Sequence, residues 1–249
     1  DTSYRNWYLG DWATPVGIDQ TNPLSVDLVD NCYIAVCYQT MSKIASLLNK
    51  TDDSRGYKAK YDALTKRIQE TFYDVKGNTY ASGTQIDLVY PMLAGVTPDN
   101  LKETVLKTLY EVTANRFQGH LATGLVGIPV LTEWAVKNGQ AEWMYQMLKK
   151  RDYPGYLYML DNGATTTWEH WNGERSHIHN CYNGIGTWFY QALAGIMPDE
   201  SQPGYKHIWI KPQVVNDISW VQASKDTPYG LLKVRWEKKE ASFVLDVQI

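Results

Sequence analysis

The chain has 249 residues, 44% of them hydrophobic and 20% charged, a balance that suits a packed core and excludes disorder. A formal net charge of -3 excludes a binder that works by neutralising nucleic-acid phosphates. Cys32, Cys37 and Cys181 are too few, and odd in number, for a disulfide scaffold; no Cys/His group has zinc spacing, and no apolar run reaches the ~18 residues of a membrane span.

The first segment, Trp7 to Pro15, holds Gly10-Asp11-Trp12. Pro15 and Gly17 argue for a loop here rather than a helix start. Residues 24–49 then follow helical spacing through Val29, Tyr33, Val36, Met41, Ile44 and Leu48. Cys32, Ala35 and Cys37 make this helix apolar over much of its circumference, so it is expected to be well buried. Residues 52–73 carry one stripe, Tyr57, Tyr61, Leu64, Ile68 and Phe72, with charges on the remaining face, as in an outer helix. Residues 85–95 are short and apolar, 98–113 amphipathic, 123–137 apolar again and 139–150 amphipathic. A last helix is expected from about Tyr182 to Leu193. Buried helices alternating with amphipathic ones suggest two concentric layers, a flat bundle being the alternative.

Beyond Pro198 the period changes. Lys206–Ile210, Ile218–Ala223, Leu231–Trp236 and Phe243–Val247 read as strands; Leu232, Val234 and Trp236 alternate with Lys233, Arg235 and Glu237. Four strands are too few for a closed sandwich. They are expected to continue elsewhere or to pair with other strands.

Ten Trp and 18 Tyr stand against only 4 Phe. Such rings present an apolar face with a polar edge, matching the C–H faces and hydroxyl edges of a sugar, although large helical cores use them as well. Two segments concentrate them with polar groups: the Asp11-Trp12 loop, and Gly163 to Gly173 followed by Ser176 to Asn180. Glu169 lies between Trp168 and Trp171, where partial desolvation is expected to raise its pKa and suit it to act as a base. A Glu facing solvent between two buried tryptophans is the plain alternative. His177 and His179 fall on one face if their segment is extended, and either one suits a sugar hydroxyl or orients the carboxylate. Asp11 offers an acceptor beside the Trp12 ring. No metal or cofactor is expected.

Taken in order, Gly10-Asp11-Trp12, Gly119-His120-Leu121-Ala122-Thr123-Gly124, Gly163-Ala164-Thr165-Thr166-Thr167-Trp168-Glu169-His170-Trp171, Ser176-His177-Ile178-His179 and Trp188-Phe189-Tyr190 resemble the α-L-rhamnosidase family of glycoside hydrolases. The resemblance covers nearly the whole chain. It implies a mainly α fold: the C-terminal portion of an (α/α)6 toroid over residues 1–200, then the start of a β-sandwich over 204–249. It implies an inverting mechanism with Glu169 as general base, and a rhamnose-containing glycoside or polysaccharide as substrate. Asp11, Trp12, His120, Tyr156, Trp168, Trp171 and His179 are the implied sugar-binding residues. Only nine residues separate Glu169 from His179, fewer than in many relatives. Nothing before Gly10 matches the family's acid-bearing segment, so an N-terminal part of the same enzyme is the expected partner and the chain alone is expected to be inactive. Localisation stays open, secretion or a periplasmic place being compatible. A non-catalytic sugar-binding piece and a different toroid enzyme, such as an epimerase, are the competing readings.

Overall fold

A computed structural model describes residues 9–18 and 22–249; Trp7 and Tyr8 of the first aromatic segment lie outside the described residues. Three helical hairpins follow one another. Helix α1 (Pro23–Leu47) starts where Asn22 accepts from the Leu24 N–H and Pro23 fits the first turn. It pairs with α2 (Thr51–Phe72). A two-residue hairpin of β1 (Tyr73–Asp74) and β2 (Thr79–Tyr80) leads to α3 (Gln85–Leu93) and α4 (Asp99–Glu111), which runs on into a π-helical turn at Val112–Arg116. Then come α5 (Gly127–Lys137), α6 (Ala141–Leu148) and a short α7 (Tyr156–Asp161).

Helices α1, α3 and α5 touch in sequence, and a π-helical segment at Trp188–Leu193 follows on α5. Helices α2, α4 and α6 lie outside them, each against its hairpin partner or next neighbour. The sequence expectation of two helical layers therefore holds. Every residue of α3 from Gln85 to Pro91 is buried, whereas α4 buries only Val105 and Leu109. Among the described residues no helix is long and apolar enough to cross a membrane.

The short α7 and the β1–β2 hairpin are absent from the sequence reading, and further details differ from it. Helix α1 buries Leu28, Val29, Cys32 and Ala35 but leaves Tyr33, Met41 and Ile44, and Leu48 just past its end, exposed, because α2 and α3 cover only one of its sides. The segment after Tyr182 is no regular α-helix but a 3-10 turn at Asn183–Ile185 followed by the π-wound stretch. A strand absent from the sequence reading, β3 (Ile196–Pro198), pairs antiparallel with β4 (Ile208–Ile210).

The remaining strands, β5 (Trp220–Thr227), β6 (Gly230–Lys239) and β7 (Ser242–Gln248), form an antiparallel meander. Its inward residues Leu232 and Val234 meet Ala194 and Ile196 in a small second core. The Trp236 indole Nε1 fastens this sheet to the helices by donating to the Leu193 carbonyl at 2.6 Å, while Lys211 N–H, just past β4, donates to Gly195 O at 2.8 Å, just before β3. Gly195 sits at φ +73, and a β-carbon there would overlap the backbone of Lys211 and Pro212. Gly195→Ala in the intact protein should therefore lower stability by about 2–4 kcal/mol, read as a fall in Tm or denaturation midpoint. A variant as stable as the parent would show that the joint yields freely.

Candidate active site

The Asp11-Trp12 loop is fixed by a helix that begins more than a hundred residues later. Asp11 is 4% exposed, and its carboxylate accepts three backbone N–H groups: Gly124 at 2.7 Å, Val126 at 3.0 Å and Gly127 at 2.7 Å. It thus closes the turn that opens α5, as a capping acid does, although it comes from a remote segment. Burial pushes its carboxyl up to about 6, against the pull of the three N–H groups. Leu125 N–H donates back to Trp12 O at 2.7 Å. A β-carbon on Gly124 would collide with Trp12 O, and one on Gly127 would come within 2.5 Å of Asp11 Oδ2. Both positions need glycine for that close approach. From the other side, Gln85 holds the preceding loop: its Nε2 donates to His120 O at 3.0 Å, and its Oε1 accepts from Ala122 N–H at 2.8 Å.

Glu169 sits on a ribbon folded back on itself. Glu169 N–H donates to Ser176 O at 2.9 Å, and His179 N–H donates to Thr167 O at 3.0 Å, so the arms at 166–169 and 176–179 run side by side. Hydroxyls of Thr166 and Thr167 bind the His177 and His179 carbonyls across the ribbon. The ribbon rests on aromatic rings. Trp171, 1% exposed, stacks on Tyr182 with centroids 4.1 Å apart and donates its Nε1 to Thr123 O at 2.8 Å. Trp168 is buried and stacks on the His177 ring at 4.8 Å. The Tyr182 hydroxyl lies 2.7 Å from Ala13 O and 3.2 Å from Glu169 O, joining the two functional segments through one atom.

The Glu169 side chain retains 16% exposure. Its Oε2 accepts from Ser176 N–H at 3.3 Å; its Oε1 lies 3.4 Å from the Arg175 guanidinium and 3.8 Å from His170 Nε2. Desolvation pushes the carboxyl up, but the Ser176 N–H and the positive fields of Arg175 and His179 outweigh it and hold the carboxyl below the usual range. The sequence expectation of a raised pKa is corrected on this point. It considered the flanking tryptophans and missed Arg175, whose only sequence signal is a cation six residues beyond the candidate base. Beside the carboxylate, the Trp12 ring takes the Arg175 guanidinium at 5.4 Å and the edge of the His170 ring at 5.9 Å. Among the described residues, His170 Nε2 has no hydrogen-bond partner.

Glu169, Trp12, Arg175, His170 and His179 therefore gather in one place. Trp168 and Trp171 lie beneath them as buried supports rather than open walls, and Asp11 faces inward behind Trp12. His179 Nδ1 accepts from Cys181 N–H at 3.1 Å. Tyr156 lies on the far side of Trp171, ring edge to ring face at 5.2 Å, with its hydroxyl donating to Tyr182 O at 2.7 Å. His120 is 4% exposed; Nδ1 is 2.8 Å from Pro154 O and Nε2 is 3.2 Å from Asp152, so it clasps the 152–154 loop and does not join the cluster. No group of three His, Cys, Asp or Glu residues suited to a metal ion occurs among the described residues.

Residues 1–193 match the bacterial α-L-rhamnosidase 6 hairpin glycosidase domain, and residues 195–249 match the bacterial α-L-rhamnosidase C-terminal domain. The chain belongs to the bacterial α-L-rhamnosidase family. A Formosa agariphila α-L-rhamnosidase is 29% identical over 97% of this chain and 27% of its own length. An Alteromonas α-L-rhamnosidase is 28% identical over 97% of the chain and 28% of its length. Among solved structures, an α-L-rhamnosidase from Dictyoglumus thermophilum superposes with TM-score 0.88 at 28% identity, covering 100% of this chain and 29% of that one. The Streptomyces avermitilis enzyme complexed with L-rhamnose gives 0.86 at 25% identity, over 96% of this chain and 23% of that one. The chain thus spans less than a third of the length of these rhamnosidases.

The cap on α5 generates a test that needs no substrate. Asp11→Asn keeps the shape but turns an N–H donor toward backbone N–H groups. The intact protein should lose about 2–3 kcal/mol of stability, because buried donors are left unsatisfied. Chemical denaturation measures this, and a loss below about 0.5 kcal/mol would remove Asp11 from its anchoring role.

Proposed function

We propose that this chain supplies the base-bearing half of an inverting α-L-rhamnosidase site, with Glu169 as the general base. The observation that carries this reading is the placement of Glu169: a mostly shielded carboxylate 3.4 Å from the Arg175 guanidinium, which itself lies over the Trp12 ring, with the Ser176 N–H at 3.3 Å, groups that favour its ionised form. An ionised carboxylate can take a proton from water as that water attacks a sugar C1, whereas a protonated one cannot. Inverting hydrolysis needs a second carboxyl as acid, roughly 6.5–9.5 Å from the base, with the water between them. Asp11 does not suit that part, since both its oxygens are held by backbone N–H groups. Asp161 is tied to Arg151 by a two-pronged ion pair. We place the acid outside these residues, within the additional length that the relatives possess, and expect this chain by itself to be inactive. Residues 1–200 are part of the catalytic toroid and 204–249 part of the sandwich.

Sugar contacts fall to Trp12 and His179. L-Rhamnose is a 6-deoxy sugar, and its methyl group suits the apolar face of Trp12. Asp11, His120, Tyr156, Trp168 and Trp171 act from behind by fixing the loops.

In the intact enzyme, Glu169→Gln should reduce kcat on an aryl rhamnoside by about 10²–10⁴-fold, with substrate binding much less affected. Near-normal turnover would take Glu169 out of the mechanism. Trp12→Ala should raise KM by an amount corresponding to about 1–3 kcal/mol, with the melting transition largely kept. A collapsed Tm with unchanged kinetics would make Trp12 a packing residue only.

A further inference from the structure

Arg175 stands where the short turn of the ribbon meets the Asp11-Trp12 loop. Its backbone is at φ +63, a left-handed conformation uncommon for a residue with a side chain. The turn therefore aims this side chain at some backbone cost. The guanidinium bridges two separate segments: it lies over the Trp12 ring and within 3.4 Å of Glu169 Oε1. The groups facing the Glu169 carboxylate are Arg175 and the Ser176 N–H from the turn, His170 from its near arm and His179 from the returning arm. Among the described residues, the Cys181 thiol feels the charges of both Glu169 and Asp11. Of the groups facing the carboxylate only Arg175 carries a permanent positive charge. The histidines contribute positive charge only when protonated.

Granted the reading of Glu169 as the base, we infer that Arg175 is a positioning residue that locks the Glu169 carboxylate and the Trp12 ring into one unit and sets the pH at which the base becomes available. Its flat cation serves both ends at once, stacking on the indole and pairing with the carboxylate. A lysine in its place would keep the charge but not the stacking plane. The pair is partly exposed, with the Arg175 side chain at 60%, so its field is partly screened by solvent and weakens further with salt.

The sign follows from the charge. A cation beside a carboxylate favours ionisation, so removing it raises the pKa of the base and moves the acidic limb of kcat/KM to higher pH. In the intact enzyme, Arg175→Met should shift that limb upward by about 0.5–1 pH unit, less than a buried pair would give. Arg175→Lys should leave the limb near its native position while raising KM through the loosened Trp12 ring. Raising ionic strength from about 0.02 to about 0.5 M should move the native limb part of the way up and the Met variant's limb by less, since only the protonated histidines then remain to be screened. If the Met variant does not fold, Arg175→Gln, which keeps a polar side chain in the exposed turn and also removes the charge, is read in its place. Glu169→Gln is assayed alongside. Retained turnover in Glu169→Gln would overturn the assignment of the base itself. An inactive Glu169→Gln, together with an acidic limb that moves neither in Arg175→Met nor with salt, would overturn the inference about Arg175 alone.

Discussion

The carboxylate of Asp11 against the amide groups of Gly124, Val126 and Gly127 is the contact on which the site depends. A buried carboxylate is unfavourable in isolation, and the first amides of a helix are unsatisfied in isolation. Each resolves the other's deficit, across a sequence separation of 113 to 116 residues. The same junction then serves both functional segments. Its loop presents Trp12 on one side, and on the other it offers the Thr123 carbonyl to the Trp171 indole, which supports the Glu169 ribbon. Two glycines allow the backbones to approach closely enough for this.

Beneath the site, aromatic rings do the work that regular secondary structure does elsewhere. Residues 163–182 contain no helix or strand, yet they are ordered by the Trp171–Tyr182 and Trp168–His177 stacks and by hydrogen bonds between the arms. A Tyr182 hydroxyl within reach of both Ala13 O and Glu169 O couples the two segments, so neither can shift alone. This rigidity is what the proposed role of Glu169 requires, since a base has to be positioned to within a fraction of an ångström. The electrostatics are a contest with a clear outcome. Tryptophan packing disfavours the ionised carboxylate, while Arg175, His179 and the Ser176 amide favour it more strongly.

The sheet is attached as a second, smaller core rather than as an extension of the first. Leu232 and Val234 meet Ala194 and Ile196, and Trp236 reaches Leu193 with its indole N–H. The junction falls between the two stretches that match the glycosidase domain and the C-terminal domain of the rhamnosidases. Helix α1 shows the reverse situation, an apolar helix covered on one side only.

The sequence by itself determined α1 to α6, their alternation of apolar and amphipathic character and the switch to strands, because the 3.6- and 2-residue periods are local properties of the chain, but not the short α7, the π-wound end of the helical part or β3. It also singled out Glu169 and Trp12, since the ordered motifs around them resemble those of the family. The tertiary structure alone decided what surrounds them. Asp11 became an anchor, His120 a loop clasp and Tyr156 a support, because their partners are the backbones of remote segments, which no side-chain pattern encodes. Trp168 and Trp171 became floor rather than wall through stacking on His177 and Tyr182. Arg175 joined Glu169 and Trp12 because a tight turn in a left-handed conformation aims it there. The protonation of Glu169 went the same way: composition predicted desolvation, but only three-dimensional placement of the cation beside the carboxylate could set the balance between burial and charge.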